Sequence, residues 1–269
     1  MTATETSLAV ALVSSQQGWA QGLVASLPRS LRCTEHAAAA QLAMVDGRDD
    51  WPQTVASLLA ADAQSIALVE PCLTHLGATT ALVAAIDAAG ADCAVLEALA
   101  SNPALVGLRD VLTRGFGELV LDGRDPQGAP PVLLRHIRLL RACGATNLHL
   151  KALAVTDSAF LIDGQAQMAG AEVRLRLTGV QGHDVPCASL TAHAADATAR
   201  LVWHGGAEAR PAQVSLADAS GLRCLPAMHE GGHRHGLRAL LADQEPTGSA
   251  VMRALIEDMA TVHNLLGAP

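Results

Sequence analysis

The stretch SIALVEPCLTHLGATTALVAAIDAAGADCAVLE, residues 65–97, decides the fold of this chain. It opens on Ser65–Val69, an apolar run typical of a strand that is buried on both faces. An Ala-rich helix is predicted from about Leu76 to Ala89, and Gly90 stands where a glycine commonly ends a helix. Ala94–Leu96 predicts the next strand. Alternating elements of these lengths favour parallel strands joined by crossover helices.

The residues before this stretch continue the same pattern. Leu8–Val13 and Leu31–Thr34 are predicted as strands, and Trp19–Leu27 between them has helical spacing. Ala37–Leu42 is predicted as a helical stretch, and Thr54–Ala61 as a further helix. The first part of the chain is therefore predicted to be a Rossmann-like domain built on a parallel sheet.

The character of the sequence changes from about residue 118. Asp, Gly and Pro are crowded into the segment Asp122–Pro131, which indicates a domain connection, so we predict one domain over residues 1–120 and a second over 121–269. The second domain is predicted to contain a helix at Val132–Cys143, several strands and two final helices at about 234–242 and 248–266. The strands are predicted at Leu148–Val155, Glu172–Thr178, Ala188–His193, Ala197–His204 and Ala212–Leu216. Their succession favours a largely antiparallel open sheet, so the fold class is α/β with an α+β second domain.

Composition excludes several classes of function. The formal net charge of −8 argues against a nucleic-acid-binding protein, because that affinity comes largely from Lys and Arg. No run of about 18 apolar residues indicates a membrane span, and no basic segment precedes the first apolar run as it would in a signal peptide. The six cysteines show no CxxC pair. We therefore expect a cytoplasmic protein that binds neither nucleic acid nor membrane.

The segment EPCLTH, residues 70–75, is similar to the Thr-Pro-x-x-x-His turn of a known dehydrogenase family. Gly90 and Glu97 have the spacing of the glycine that ends the family's next helix and the glutamate of its Glu-Lys-Pro motif. Ala197–His204 with the glycines after it is similar to one of the family's sheet strands and its hairpin turn. On these residues the chain resembles the glucose-fructose oxidoreductase and inositol dehydrogenase (Gfo/Idh/MocA) family. The resemblance implies a small-molecule ligand and a homo-oligomer that forms through the C-terminal sheet.

The resemblance also implies NAD or NADP as the cofactor. The implied contacts lie in the turn after the first strand and in the turn after the Ser65–Val69 strand, at Ser14, Ser15, Gln16, Gly18, Pro71 and His75. A dinucleotide-binding turn needs glycines because the backbone must approach the pyrophosphate closely. The first turn reads SSQQG, residues 14–18, and keeps only its last glycine. The cofactor motif is therefore degenerate.

Glu97 and His136 are the residues that the resemblance places nearest to the chemistry. Ala98 stands where the family has the lysine of Glu-Lys-Pro, and Arg135 stands where the family has an aspartate. An arginine does not act as a general base at neutral pH, because its pKa is too high. The catalytic motifs are therefore eroded as well.

The cluster HEGGHRH, residues 229–235, is the other polar constellation. His229, His233 and His235 suggest imidazole ligands for a metal, but the two glycines between them disfavour the helix that such spacing would need. We therefore predict a glycine-rich loop that enters a helix and no metal site, with ligand contact left open.

Three functions are compatible with these observations. The first is an NAD(P)-dependent dehydrogenase that acts on a small hydroxy, carbonyl or sugar-like substrate. The second is a non-catalytic ligand-binding or partner subunit on the same fold. The third is a redox-neutral lyase or isomerase that uses histidines as acid and base.

Overall fold

The structure is a computed structural model in which two parts of the chain form separate compact units. The described residues are 8–13, 31–34, 40–48, 50–112, 116–182, 185–205, 211–244 and 247–267. The first unit comprises Met1–Glu97 with His233–Met259, and the second comprises Ala98–Gly232 with Ala260–Pro269. The domain boundary predicted after residue 120 stays a prediction.

The first unit contains a sheet of five strands, the parallel sheet. Its strands are β1 (Leu8–Val13), β2 (Leu31–Thr34), β3 (Leu42–Asp46), β4 (Ser65–Val69) and β5 (Asp92–Leu96). They are ordered β2-β1-β3-β4-β5, and every pairing is parallel. Helix α1 (Trp51–Ala60) joins β3 to β4, and α2 (Leu76–Ala89) joins β4 to β5. The predicted Rossmann-like parallel sheet is confirmed.

The middle of the parallel sheet is buried on both faces. Every residue of β3 is buried, as are the last four residues of β4. Continuous apolar strands of this kind need cover on each side. On one face the cover includes a helix near the C-terminus, which contributes Leu237. The core cluster there consists of Val10, Leu31, Leu42, Met44, Ala67, Val69, Leu96 and Leu237.

Both ends of α2 are capped by local sequence. At its start the Nδ1 atom of His75 accepts a hydrogen bond from the backbone N–H of Gly77 at 3.2 Å. At its end Gly90 has a left-handed conformation, with φ of 59°. That conformation costs a residue with a Cβ roughly 1 kcal/mol or more, so the glycine ends the helix where the sequence predicts.

The second unit contains a sheet of eight strands, the mixed sheet. Its strands are β6 (Phe116–Asp125), β7 (Thr146–Val155), β8 (Ala159–Met168), β9 (Ala171–Gln181), β10 (Cys187–Ala194), β11 (Ala197–His204), β12 (Gln213–Asp218) and β13 (Gly221–Cys224). The order is β13-β12-β11-β10-β6-β9-β8-β7. β6 pairs with β9 in parallel, and the other described pairings are antiparallel. The prediction of a largely antiparallel sheet is confirmed.

Helices cover one face of the mixed sheet. A short 3-10 helix (Pro103–Leu105) leads into α3 (Val106–Leu112), and α4 (Ala129–Ala142) lies against β6 and β9. The buried side chains of this layer include Leu119, Leu121, Leu133, Ile137, Leu140 and Leu177. Helices α5 (Gly232–Leu241) and α6 (Ser249–Leu266) complete the chain close to their predicted bounds. Within the described residues no helix is long and apolar enough to cross a membrane.

The predicted helical stretch Ala37–Leu42 is wrong at its C-terminal end. Leu42 begins strand β3 and pairs with Val10 of β1, while residues 35–39 lie outside the described residues. β3 is short and wholly buried, and such a segment has no alternation that distinguishes a strand from a helix. The run of alanines before it therefore biased the prediction.

The predicted connection over Asp122–Pro131 is also wrong in its first half. β6 extends to Asp125 and pairs with β9 and β10 over its length. Leu119 and Leu121 are buried against the helices, while Asp122 and Arg124 point to the open face of the sheet. The polar residues that resembled a loop are the exposed side of a strand.

Candidate functional site

Acidic residues stand at the carboxyl ends of three neighbouring strands of the parallel sheet. Asp46 ends β3, Glu70 follows β4 directly, and Glu97 follows β5 directly. Because the strands are parallel, their carboxyl ends share one edge of the sheet. Ligands of open α/β sheets bind at that edge, close to the point where the strand order reverses. Here the reversal is at β1, which has β2 on one side and β3 on the other.

Glu70 has an uncommon backbone conformation and a partner that is distant in sequence. Its φ is 50°, and its backbone N–H donates to the carbonyl of Leu96 at 3.0 Å. Its Oε1 lies 2.8 Å from Nε2 of His233, which is in the first turn of α5. The side chains are 31% and 25% exposed respectively, so solvent reaches both. A strained residue with an accessible acid–imidazole pair is a common arrangement at functional sites.

Asp46 holds the side chain of Arg48 in a fixed orientation. The Nε and Nη2 atoms of Arg48 lie 2.9 and 2.6 Å from the two carboxylate oxygens, and the backbone N–H of Arg48 donates to Oδ1 at 3.1 Å. The carboxylate is 1% exposed, whereas the arginine side chain is 31% exposed. The hydrogen bond to Asp46 raises the pKa of Arg48, against the opposite effect of its burial, and the charges of Cys72 and Glu70 add to the increase.

The loops that follow β3 and β4 are joined to each other. The backbone N–H of Gly47 donates to the carbonyl of Val69 at 2.7 Å, and that of Cys72 donates to the carbonyl of Gly47 at 2.7 Å. A Cβ on Gly47 would lie 2.5 Å from the Cα of Pro71, so no other residue fits. The indole of Trp51 donates to the carbonyl of Cys72 at 3.1 Å. This edge of the sheet is therefore braced by its own backbone.

The structure tests the predicted cofactor contacts only in part. Ser14, Ser15, Gln16 and Gly18 lie outside the described residues. Pro71 is buried against Gly47, and His75 is exposed and caps α2. Both residues thus have a structural role at the expected edge, and their contact with a cofactor stays a prediction. Of the groups described at this edge, the guanidinium of Arg48 suits the anionic phosphates of a dinucleotide, whereas the three carboxylates do not.

Glu97 and His136, the predicted catalytic residues, belong to different units. Glu97 is partly exposed at the carboxyl edge of the parallel sheet. His136 lies on α4 and is 0% exposed, with its ring against the backbone of Gly123. Burial, with a smaller contribution from the charge of Arg135, lowers the pKa of His136 to about 3, and the backbone of Asp122 opposes the change. Neither ring nitrogen makes a hydrogen bond of ordinary geometry with a described residue.

The histidine cluster HEGGHRH takes the predicted form of a loop that enters a helix. α5 begins at Gly232, where a Cβ would lie 2.0 Å from the carbonyl oxygen of Ala98. In the part of the chain that the structure describes, no three His, Cys, Asp or Glu side chains converge on a point that could hold a metal ion. His233 instead contacts Glu70.

Sequence reasoning did not identify Asp46, Arg48 or Glu70 as functional side chains. The available signal was positional, since an acid directly after a buried apolar strand marks the carboxyl end of that strand. For the Glu70–His233 pair no local pattern exists, because the partners are 163 residues apart.

Comparison with solved structures identifies the fold. An oxidoreductase from Sinorhizobium meliloti superposes with a TM-score of 0.72 at 11% identity, over 98% of this chain and 97% of that one. An oxidoreductase from Agrobacterium radiobacter, in complex with NAD+, L-tartaric acid and magnesium, gives 0.65 at 11% identity over 98% and 97%. The super-repressor mutant of Gal80p from Saccharomyces cerevisiae gives 0.75 at 9% identity over 97% and 96%.

The chain therefore has the two-part fold of these oxidoreductases, as the resemblance implies. No family model matches the sequence, and no curated protein matches it. At identities near a tenth, the likeness is one of fold.

Proposed function

We propose that this protein is a divergent Gfo/Idh/MocA-type dehydrogenase that binds NAD or NADP across the carboxyl edge of the parallel sheet. The observation that carries the proposal is the edge itself, where the strand order reverses at β1 beside a fixed cation, Arg48, and a strained, accessible acid, Glu70. That the chain matches an NAD+-bound oxidoreductase over nearly its whole length supports the same position for the nucleotide.

The cofactor, when bound, supplies a nicotinamide ring that accepts or donates a hydride. The chain supplies the binding groups, which we propose are Ser14, Ser15, Gln16 and Gly18 after β1 together with the turn from Pro71 to His75. Glu97, which follows β5, is proposed to face the substrate hydroxyl or carbonyl. A catalytic role for His136 would require the layer between α4 and the mixed sheet to open, because its imidazole has no exposed surface.

Nucleotide binding is the direct test. NADH and NADPH are titrated separately, and binding is followed by thermal shift and by energy transfer from tryptophan to the reduced nicotinamide. Trp51 lies under the loop after β4 and is a suitable donor. We expect a stabilisation of about 2.7 kcal/mol at a hundredfold excess over the dissociation constant. No response to either nucleotide at millimolar concentration would contradict the proposal.

A non-catalytic ligand-binding protein is the second candidate. Two observations favour it. The fold neighbours include a super-repressor mutant of Gal80p. The single lysine of the chain, Lys151, lies on β7 of the mixed sheet and not after Glu97, where the family has its Glu-Lys-Pro lysine. On this alternative the protein binds the nucleotide but shows no NAD+ reduction with a panel of polyols, sugars and hydroxy acids. Turnover with any member of the panel would decide for the dehydrogenase.

We also propose that two copies pair through the open face of the mixed sheet, as the resemblance implies. Charge pairs stand on this face, where Arg176 lies 3.6 Å from both Glu118 and Asp163. Light scattering gives the mass in solution. Arg176→Glu is expected to convert a dimer to a monomer, because it gathers three carboxylates on the open face of each copy and two such faces repel each other. Arg253→Glu in the first unit should leave the mass unchanged. A monomeric wild type would contradict the proposal.

A further inference from the structure

Arg48 is a cation at the point where the parallel sheet reverses its strand order. It stands just beyond the end of β3, and the register Val13↔Val45 places the ends of β1 and β3 side by side. The crevice at such a reversal is where open α/β sheets bind the phosphates of nucleotides. In this chain the sequence that follows β1 reads SSQQG, residues 14–18, and so lacks most of the glycines whose backbone N–H groups would contact a phosphate. A phosphate there needs another donor.

Asp46 turns Arg48 toward the solvent side of this edge. One side of the guanidinium, with Nε and Nη2, faces the buried carboxylate, so the opposite side is directed away from it. Of the two charges only the arginine is substantially exposed. Because the orientation is already fixed, less conformational entropy is lost when an anion binds.

The backbone beneath Arg48 is equally constrained. Gly47 exchanges hydrogen bonds with the loop after β4 and lies directly against Pro71. The acid whose charge reaches Arg48 from that loop, Glu70, is paired with His233. The position of the guanidinium is thus set by two strands, and the neighbouring acid is itself held by a contact with His233.

We propose that Arg48, held by Asp46, binds the pyrophosphate of the dinucleotide and replaces with a side chain the contacts that a glycine-rich turn makes with backbone N–H groups. A guanidinium remains charged at every physiological pH and matches phosphate oxygens in bidentate geometry. The inference rests on the proposed function for the identity of the nucleotide, but the anion site can be measured by itself.

The experiment titrates NADH, inorganic pyrophosphate and adenosine against the wild type and its variants. Arg48→Met is expected to weaken binding of NADH and of pyrophosphate by roughly ten- to a hundredfold, the range for a lost charged hydrogen bond. Adenosine, which has no phosphate, should bind both proteins alike. Arg48→Lys keeps the charge without the bidentate geometry and should give an intermediate loss.

The matched controls address folding and non-specific charge. Arg48→Met removes the guanidinium from the buried carboxylate of Asp46, so the double variant Asp46→Asn with Arg48→Met is measured beside it, with circular dichroism as the check on folding. Arg253→Met removes an arginine from an exposed pair with Asp87 on the helices of the same unit and should not change binding.

The outcomes separate the two proposals. NADH and pyrophosphate binding that is equal in the wild type and in the folded Arg48 variants overturns the inference and leaves the proposed function intact. Pyrophosphate binding that depends on Arg48, in a protein that binds neither NADH nor NADPH, overturns the dehydrogenase and keeps the anion site. A wild type that binds no nucleotide and no pyrophosphate overturns both.

Discussion

His136 and His233 are the same side chain in opposite surroundings, one in each unit of the protein. His136 is enclosed between α4 and the mixed sheet, with no exposed surface and no hydrogen bond of ordinary geometry to a described residue. His233 stands at the start of α5, is a quarter exposed, and contacts the strained Glu70. The resemblance places the first nearest to the chemistry, whereas in the structure solvent reaches only the second.

The difference shows what each region is built to do. Under α4, glycines of the mixed sheet make room for large side chains, since a Cβ on Gly123 would lie 2.7 Å from both His136 and Val132. The imidazole there fills space as an apolar residue does. At the carboxyl edge of the parallel sheet, polar groups are held in pairs at the surface, where a ligand can reach them.

The largest expected effect comes from acid. The pKa of His136 is about 3 in the folded protein and near its ordinary value of 6.5 when unfolded, so below pH 6.5 the unfolded chain binds a proton that the folded one does not. The stability that depends on neutral His136 is complete above pH 6.5 and is lost progressively toward pH 3, by on the order of 5 kcal/mol.

This prediction is measured by urea unfolding of the wild type and of His136→Leu from pH 8 to pH 4. Other groups titrate equally in both proteins, so the difference between the two curves isolates His136. We expect the wild type to lose stability relative to the variant as the pH falls. If the stability of the two proteins falls in parallel with pH, the imidazole of His136 takes up a proton as readily in the folded protein as in the unfolded one. His136 and His233 would then not differ in their access to solvent.

An intermediate effect is expected from glycines that stand beside the two histidines. Gly123→Ala should destabilise the protein by about 1–3 kcal/mol, because the new methyl group meets His136 and Val132 in a filled layer. Gly231→Ala, two residues before His233, has nothing within 4 Å of the added Cβ and should be close to neutral. The midpoints of thermal unfolding give the comparison. Equal midpoints for the two variants would show that the layer under α4 is loosely packed.

The smallest effect is expected at the Glu70–His233 pair. Both side chains are partly exposed, so solvent screens their interaction, and the coupling energy from a double-mutant cycle of Glu70→Gln and His233→Gln should be below about 1 kcal/mol. A coupling of several kcal/mol would assign the pair to the stability of the fold and remove the reason to place it in a site.

Much of the fold could be predicted because its signals are local. Ala197–His204 alternates buried residues with half-buried or exposed ones as a one-sided strand should, and α2 carries its own ending in Gly90. Four of the described strands were not predicted, namely β3, β6, β8 and β13. β8 contains Gly164, where a Cβ would lie 2.4 Å from the carbonyl oxygen of His149, and a glycine inside a strand weakens its pattern. β13 is short and wholly exposed, so it has no apolar side to recognise.

The candidate site was less predictable for a different reason. Glu97 lies at the carboxyl edge because it directly follows the strand that the sequence predicts at Ala94–Leu96. Arg48 was not singled out, because nothing in DGRDD, residues 46–50, shows that the first aspartate is buried and orients the arginine. Burial depends on what packs over a residue, and that information lies elsewhere in the chain.

The amino-acid sequence by itself determined the alternation of strands and helices, the parallel character of the first sheet and the largely antiparallel character of the second, since these follow from apolar periodicity and from turn residues close in the chain. Only the tertiary structure decided that His136 is core and that Glu70 has His233 as its partner. Burial and long-range pairing depend on how whole elements stack, and side chains far apart in sequence acquire their electrostatic surroundings only when those elements meet.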